Sequence, residues 1–192
     1  MFLASKLLVI DYQFRRIVSG GLDGKVKISQ LLDDPSPLEH VIGERINAIV
    51  CRGDTIILAT EGTYVHMIQA EDGLPDGVAT RFTAEVNDLA TNKDMSKLVS
   101  CSSDFMIKIV DFNNSVEREF VLEGHKAPVL SVSIDPLDIF IASSSCDGTI
   151  RIWRVDQRKE VKCVRALSPC SDPTLALSCC RLCWQSISGQ VT

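Results

Sequence analysis

Between His125 and Trp153 stand the residue types of a hydrolase triad: His125, the hydroxyls of Ser143 and Ser145, and Asp147. Such a triad needs an exposed nucleophile and an oxyanion hole beside it. The chain has no Gly-x-Ser-x-Gly elbow to present the serine, and no Gly-x-x-x-x-Gly-Lys-Ser/Thr phosphate loop. The residues are therefore read as structural, and neither an enzymatic activity nor a cofactor or small-molecule substrate is expected.

Cys179-Cys-Arg-Leu-Cys183, with Cys163 and Cys170, suggests zinc chemistry instead. Structural zinc sites generally offer two Cys-x-x-Cys knuckles on turns. Here there is one, on a strand-like run where Cys180 and Cys183 point to opposite faces. The remaining cysteines, Cys51, Cys101 and Cys146, also fall in apolar or strand-like runs. The cysteines are read as reduced and mostly buried, with no metal bound, which fits a cytosolic or nuclear protein.

Phosphate contact is a third chemistry to weigh. Arg151, Arg154, Arg158, Lys159, Lys162 and Arg165 outnumber Asp156 and Glu160 over one short stretch. That patch could touch a nucleic acid backbone, but outer strands are commonly charged and solvated to discourage edge pairing, and the solvated face is favoured. No aromatic ladder interleaves the basic residues. Twenty basic against twenty-five acidic residues give a net charge of −5, which argues against DNA held mainly by phosphate neutralisation. Ser36-Pro37 and Ser168-Pro169 are proline-directed dipeptides of a kind frequent by chance, and His40 and His66 read as surface or packing residues. Met1 to Ile10 is apolar but broken by Lys6 and followed by Asp11, so no signal peptide is expected. No apolar run has the length of a membrane span, and no membrane partner is expected.

The elements that carry these residues repeat. Ile17–Ile28, Ile57–Met67, Leu98–Ile109 and Ile141–Trp153 each read as an apolar strand, a turn and a β-branched strand. Aligning Asp23, Gly62, Asp104 and Asp147 gives steps of 39, 42 and 43 residues. Asp23-Gly24 and Asp147-Gly148 are hairpin signals, because Gly accepts positive φ and Asp bonds its own backbone. Ile46–Cys51, Phe120–Leu122, Val129–Ile134 and Val161–Val164 are further strands. Asp34–Pro37 and Leu74–Gly77 read as inter-strand loops. Few stretches show helical spacing. The expected fold is all-β: about four four-stranded antiparallel blades of a partial β-propeller in an open arc. The blades are placed near 1–35, 40–75, 80–120 and 123–165, with a further blade starting in 175–192.

The unit from Gly124-His125 to Ile152-Trp153 resembles the WD repeat. That resemblance implies a hydrogen-bond relay of His125, a hydroxyl from Ser143 or Ser145, Asp147 and the Trp153 indole, four buried groups that satisfy one another. In the other units Trp is replaced by Ser29 and Val110, so those blades are expected to rely on apolar packing. More specific likeness lies in Leu74–Thr83, Ser102–Asp111, Gly124–Gly148 and Cys180–Gln185. Together these resemble the amino-terminal propeller of the WD-repeat and HMG-box DNA-binding protein family, replisome adaptors of eukaryotes. The likeness runs over roughly residues 15–189 and is strongest from 73 to 155.

The resemblance implies a nuclear, non-catalytic scaffold of chromosome replication that links the replicative helicase to DNA polymerase alpha. Its implied partners are replication proteins, with DNA contact indirect or weak. The chain ends at Thr192, before the second, trimer-forming propeller, the helices and the HMG box of that family. An adaptor of another complex, such as a ubiquitin ligase or a trafficking coat, is the alternative. An arc would leave apolar faces beside Ile17–Ile28 and Leu182–Trp184, so the chain alone is expected to self-associate.

Overall fold

The computed structural model describes residues 8–31 and 37–165. These form four four-stranded antiparallel sheets, and within each the strands pair in the order in which they follow along the chain. Sheet 1 holds β1 (Leu8–Asp11), β2 (Arg16–Gly20), β3 (Lys25–Gln30) and β4 (Leu38–Val41). Sheet 2 holds β5 (Ile46–Arg52), β6 (Thr55–Thr60), β7 (Tyr64–Gln69) and β8 (Pro75–Arg81). Sheet 3 holds β9 (Val86–Thr91), β10 (Lys97–Ser102), β11 (Ile107–Asp111) and β12 (Glu119–Leu122). Sheet 4 holds β13 (Val129–Ile134), β14 (Phe140–Ser145), β15 (Thr149–Arg154) and β16 (Lys159–Arg165). There is no helix among the described residues.

Each sheet packs face to face on the next, and the four make an open arc. Val18, Val26 and Ile28 of sheet 1 meet Ile46, Ile49, Ile56 and Leu58 of sheet 2. Ala48, Ile57 and Val65 turn the other way, against Val86, Leu89, Leu98 and Val110 of sheet 3. Val99, Cys101, Ile107 and Ile109 meet Val129, Val132, Ile134, Ile141 and Trp153 of sheet 4. A strand caught between two such layers buries both faces, so it reads as an unbroken apolar or small-residue run instead of alternating. Ile56 to Thr60 of β6 and Leu98 to Ser102 of β10 show this. The inner strands β1, β5, β9 and β13 line an open groove of about 460 Å³, walled in part by Leu8, Ile10, Ile49, Leu89 and Ile134.

Three sequence expectations need correction. Leu74–Gly77 is not a loop throughout: β8 begins at Pro75, which pairs with Ile68. The strand is the sheet's edge, so the missing proline N–H costs no ladder bond on the open side. The sheets also end later than the placed blades, because Leu38–Val41 and Pro75–Arg81 close sheets 1 and 2 as outer strands. Cysteine burial is uneven. Cys51 and Cys101 are buried, Cys146 is half-buried, and Cys163 is exposed on the edge strand β16. Cys170, Cys179, Cys180 and Cys183, like Leu182–Trp184, Ser36 and Ser168-Pro169, lie outside the described residues.

Candidate functional site: the polar relay and the seams between sheets

In sheet 4, the loop before β13 brings His125 over the strands. Its Nδ1 lies 2.9 Å from Asp147 Oδ2 and its Nε2 2.7 Å from Ser143 Oγ. Trp153 Nε1 donates to the same Ser143 Oγ at 2.8 Å. One proton arrangement satisfies every group: Nδ1–H donates to Asp147, Ser143 O–H donates to Nε2, and the indole donates to Ser143. Ser143 is the middle of the relay because it lies on the face of β14 that also carries Ile141, which pairs with Trp153. Ser145 does something else: its hydroxyl donates to Ala127 O at 2.9 Å and accepts the Asp147 N–H at 3.1 Å, tying the loop to the turn.

Burial pushes the His125 imidazole below its ordinary pKa, and the Asp147 hydrogen bond and charge only partly offset that. Burial pushes the Asp147 carboxyl up, but hydrogen bonds from Thr149, His125 and the Lys126 N–H outweigh it and hold it well below the usual range. The site thus contains a neutral imidazole and a carboxylate. The Ser143 hydroxyl is engaged on both sides and fully buried, so a substrate carbonyl has no approach to it. Burial also pushes the Cys51 thiol up to about 11, which leaves it an inert core side chain.

The other sheets are not held by apolar packing alone. Asp104, at the turn position of Asp147, accepts the Thr83 N–H at 2.8 Å and the Thr83 hydroxyl at 3.1 Å. In sheet 2 the hydroxyl of Thr60 donates to Glu44 Oε2 at 2.5 Å, and His66 Nε2 lies 3.6 Å from the same oxygen. By register Glu44 stands where sheet 4 has Ala127, and its carboxylate takes the hydroxyl of Thr60 as the Ala127 carbonyl takes that of Ser145.

Polar side chains also cross the seams between sheets. Asn47 and Asn87 sit at matching register shifts in β5 and β9. Asn47 Nδ2 donates to Val86 O at 2.9 Å, and Asn87 Nδ2 to Val129 O at 2.7 Å. At the opposite ends, Arg16 donates to Gly53 O, Arg52 Nε to Met95 O at 2.8 Å, and Asn92 Nδ2 to Asp138 Oδ2 at 2.6 Å. Sequence reasoning missed all five. The available signal was the 40-residue spacing of Asn47 and Asn87, each just after a β-branched residue at the head of an inner strand.

The basic stretch is split. Arg151 pairs with Glu160 at 2.5 Å, Arg154 with Asp156 at 2.9 Å, and Arg158 with Glu117 at 2.7 Å. Lys159, Lys162 and Arg165 are exposed on β16. Among the described residues no group of His, Cys, Asp and Glu could hold a metal, and no helix is long and apolar enough to cross a membrane.

Repeated four-stranded sheets stacked in sequence order, with a Gly-His, Asp and Trp relay in the fourth, define a segment of a WD-repeat β-propeller. The chain belongs to the family described as the WDHD1 first WD40 domain, whose model matches residues 4–192. It is 39% identical over 175 residues to human WD repeat and HMG-box DNA-binding protein 1, and 37% identical over 174 residues to the Xenopus laevis protein of that name. Each match covers 91% of this chain and 15% of the relative, so the chain spans about a seventh of their length. TSET complex member tstE of Dictyostelium discoideum is 31% identical over 156 residues, covering 74% of this chain and 11% of that protein. A chain of the solved structure "Crystal Structure of Mitotic Checkpoint Complex" superimposes with a TM-score of 0.72 at 19% identity. That match covers 83% of this chain and 50% of the other, and it supports the fold alone.

Proposed function

We propose that this chain is a non-catalytic scaffold of chromosome replication. It acts in the nucleus, holding replication proteins such as the replicative helicase and DNA polymerase alpha to one another. The observation that carries the reading is the identity of 37 to 39% to WD repeat and HMG-box DNA-binding proteins across 91% of the chain. A buried relay in place of an accessible nucleophile supports a structural role for His125, Ser143, Asp147 and Trp153. Direct DNA contact is weak in this reading, since Arg151, Arg154 and Arg158 are already paired and Lys159, Lys162 and Arg165 remain as the exposed cations there.

The test is a reconstituted binding assay with the 192-residue chain immobilised and purified helicase or polymerase alpha subunits in solution. Saturable binding of at least one, weakened little by Lys159→Ala with Lys162→Ala, is expected. Binding of neither, or strong salt-sensitive binding to bare duplex DNA, would overturn the reading. A second reading, an adaptor of a different complex, draws on the likeness to the TSET complex member. It would be favoured if the tagged chain in dividing cells stays off chromatin throughout S phase.

A further inference from the structure

We infer that sheet 1 is a leaf that opens away from a body made of sheets 2 to 4, and that Arg16 is the pin that holds it shut. The three seams are built differently. Between sheets 2 and 3, Asn47 and Arg52 reach backbone carbonyls of sheet 3, Arg45 pairs with Glu85 at 2.6 Å, and Thr80 donates to Glu119 at 2.6 Å. Lys108 reaches back across the same seam to Arg81 O at 2.7 Å. Between sheets 3 and 4, Asn87 and Asn92 cross at the two ends. In the middle, buried Asp88 accepts the Ser131 hydroxyl at 2.7 Å and the Val132 N–H at 3.1 Å. On the rim, Arg158 pairs with Glu117 and lies 3.4 Å from the centre of the Phe120 ring. Each of these seams is tied at several separated points, so no single opening releases it.

The seam between sheets 1 and 2 depends, among the described residues, on far less. Its side-chain tie is the Arg16 guanidinium. That group is buried, held by Asp11 of its own sheet at 2.9 Å, and donates across the seam to Gly53 O. The second tie is a main-chain bond from Ile46 N–H to Gly21 O at 3.3 Å. Apolar packing is comparable to that of the other end of the arc: Val18, Val26 and Ile28, with the partly buried Val9, Leu38 and Ile42, are what sheet 1 brings to it. Close contact occurs at Gly20, where an added Cβ would lie 2.7 Å from Ile49 Cδ1 and 2.8 Å from Ile46 Cγ2, and at Gly73 of sheet 2, against which the His40 ring of sheet 1 lies. A seam with one side-chain pin opens at lower free energy than its neighbours, and it opens as a unit because the four strands of sheet 1 stay paired to one another. Opening uncovers the apolar face of sheet 2 formed by Ile46, Ile49 and Leu58.

Hydrogen exchange read by mass spectrometry on the 192-residue chain tests this. Amides of 8–31 and 38–41 should exchange together, with protection about tenfold or more below that of β10 and β14. Arg16→Met removes the pin and Gly20→Ala pries the seam by a different route. Both should raise exchange in sheet 1 while 86–165 keeps its protection. If sheet 1 is as protected as sheet 3 in the unaltered chain, the leaf does not exist. If both variants lower protection evenly across all four sheets, the arc is one cooperative unit and the inference fails.

Discussion

At the scale of single residues, Trp153 and Ser143 carry the most. Trp153 fills the seam between sheets 3 and 4 and gives its N–H to Ser143. Trp153→Ala should cost about 3–5 kcal/mol, through lost burial and the cavity left behind. Ser143→Ala removes little volume but strands the indole donor and the His125 acceptor, at about 1–3 kcal/mol. Equilibrium urea unfolding measures both, and a loss for Trp153→Ala under about 1 kcal/mol would show that the seam does not need the indole. His125 gives a pH signature. Its folded-state pKa lies below the ordinary value of 6.5, so the unfolded chain takes up the proton first. Its contribution is complete above about pH 6.5 and drains away as the pH falls below it. Asp147 is shifted down too, so its contribution holds above its ordinary 3.8 and is lost below that value. The urea midpoint should therefore fall between pH 7.5 and 5.5, and fall less in His125→Gln; equal slopes in the two proteins would remove His125 from the account.

At the scale of elements, the turns and the edge strands tell opposite stories about what a sequence shows. The hairpins at Asp23-Gly24 and Asp147-Gly148 were legible because glycine marks the left-handed position, and both have φ near 75°. Phe105 holds the matching position in sheet 3 with φ 77° and is 41% exposed. A side chain there strains the backbone with little packing to offset it, so Phe105→Gly should stabilise the chain by about 1 kcal/mol. A lower melting midpoint would mean the ring is held by contacts worth more than the strain. The edge strands β4 and β8 were not legible. Each needs hydrogen bonds on one side only, so it tolerates Pro75, Gly77 and alternating polar residues that also suit loops. The relay was legible as a set, since four polar types at WD-repeat spacing rarely meet by accident. Which serine it used was not, because Ser143 and Ser145 face the same side of β14 and only the Trp153 register separates them. Asn47 and Asn87 read as ordinary surface amides until the register shifts aim them across a seam.

At the scale of the whole molecule, sheet 1 turns one face to sheet 2 and the other outward. On the outward face Leu8 is 62% and Ile10 41% exposed, and Ile17 pairs beside them. An apolar strand edge with that exposure attracts copies of itself. The 192-residue chain, expressed by itself, should elute from a sizing column as concentration-dependent assemblies by light scattering. Leu8→Lys with Ile10→Lys should shift it toward monomer. A sharp monomer at all concentrations in the unaltered chain would show that the outward face is already covered.

Five of the side chains that cross the seams share a direction, while Lys108, Ser131 and Arg158 run the other way. Arg16, Asn47, Arg52, Asn87 and Asn92 each donate to an acceptor that lies later in the chain, at separations of 37 to 46 residues. During synthesis the donor therefore leaves the ribosome first and waits in water, where an amide or guanidinium loses nothing by waiting. Its acceptor arrives one sheet later and is caught by a surface already formed. The arc can thus be assembled in the order it is translated, with no early sheet held open for a strand made much later.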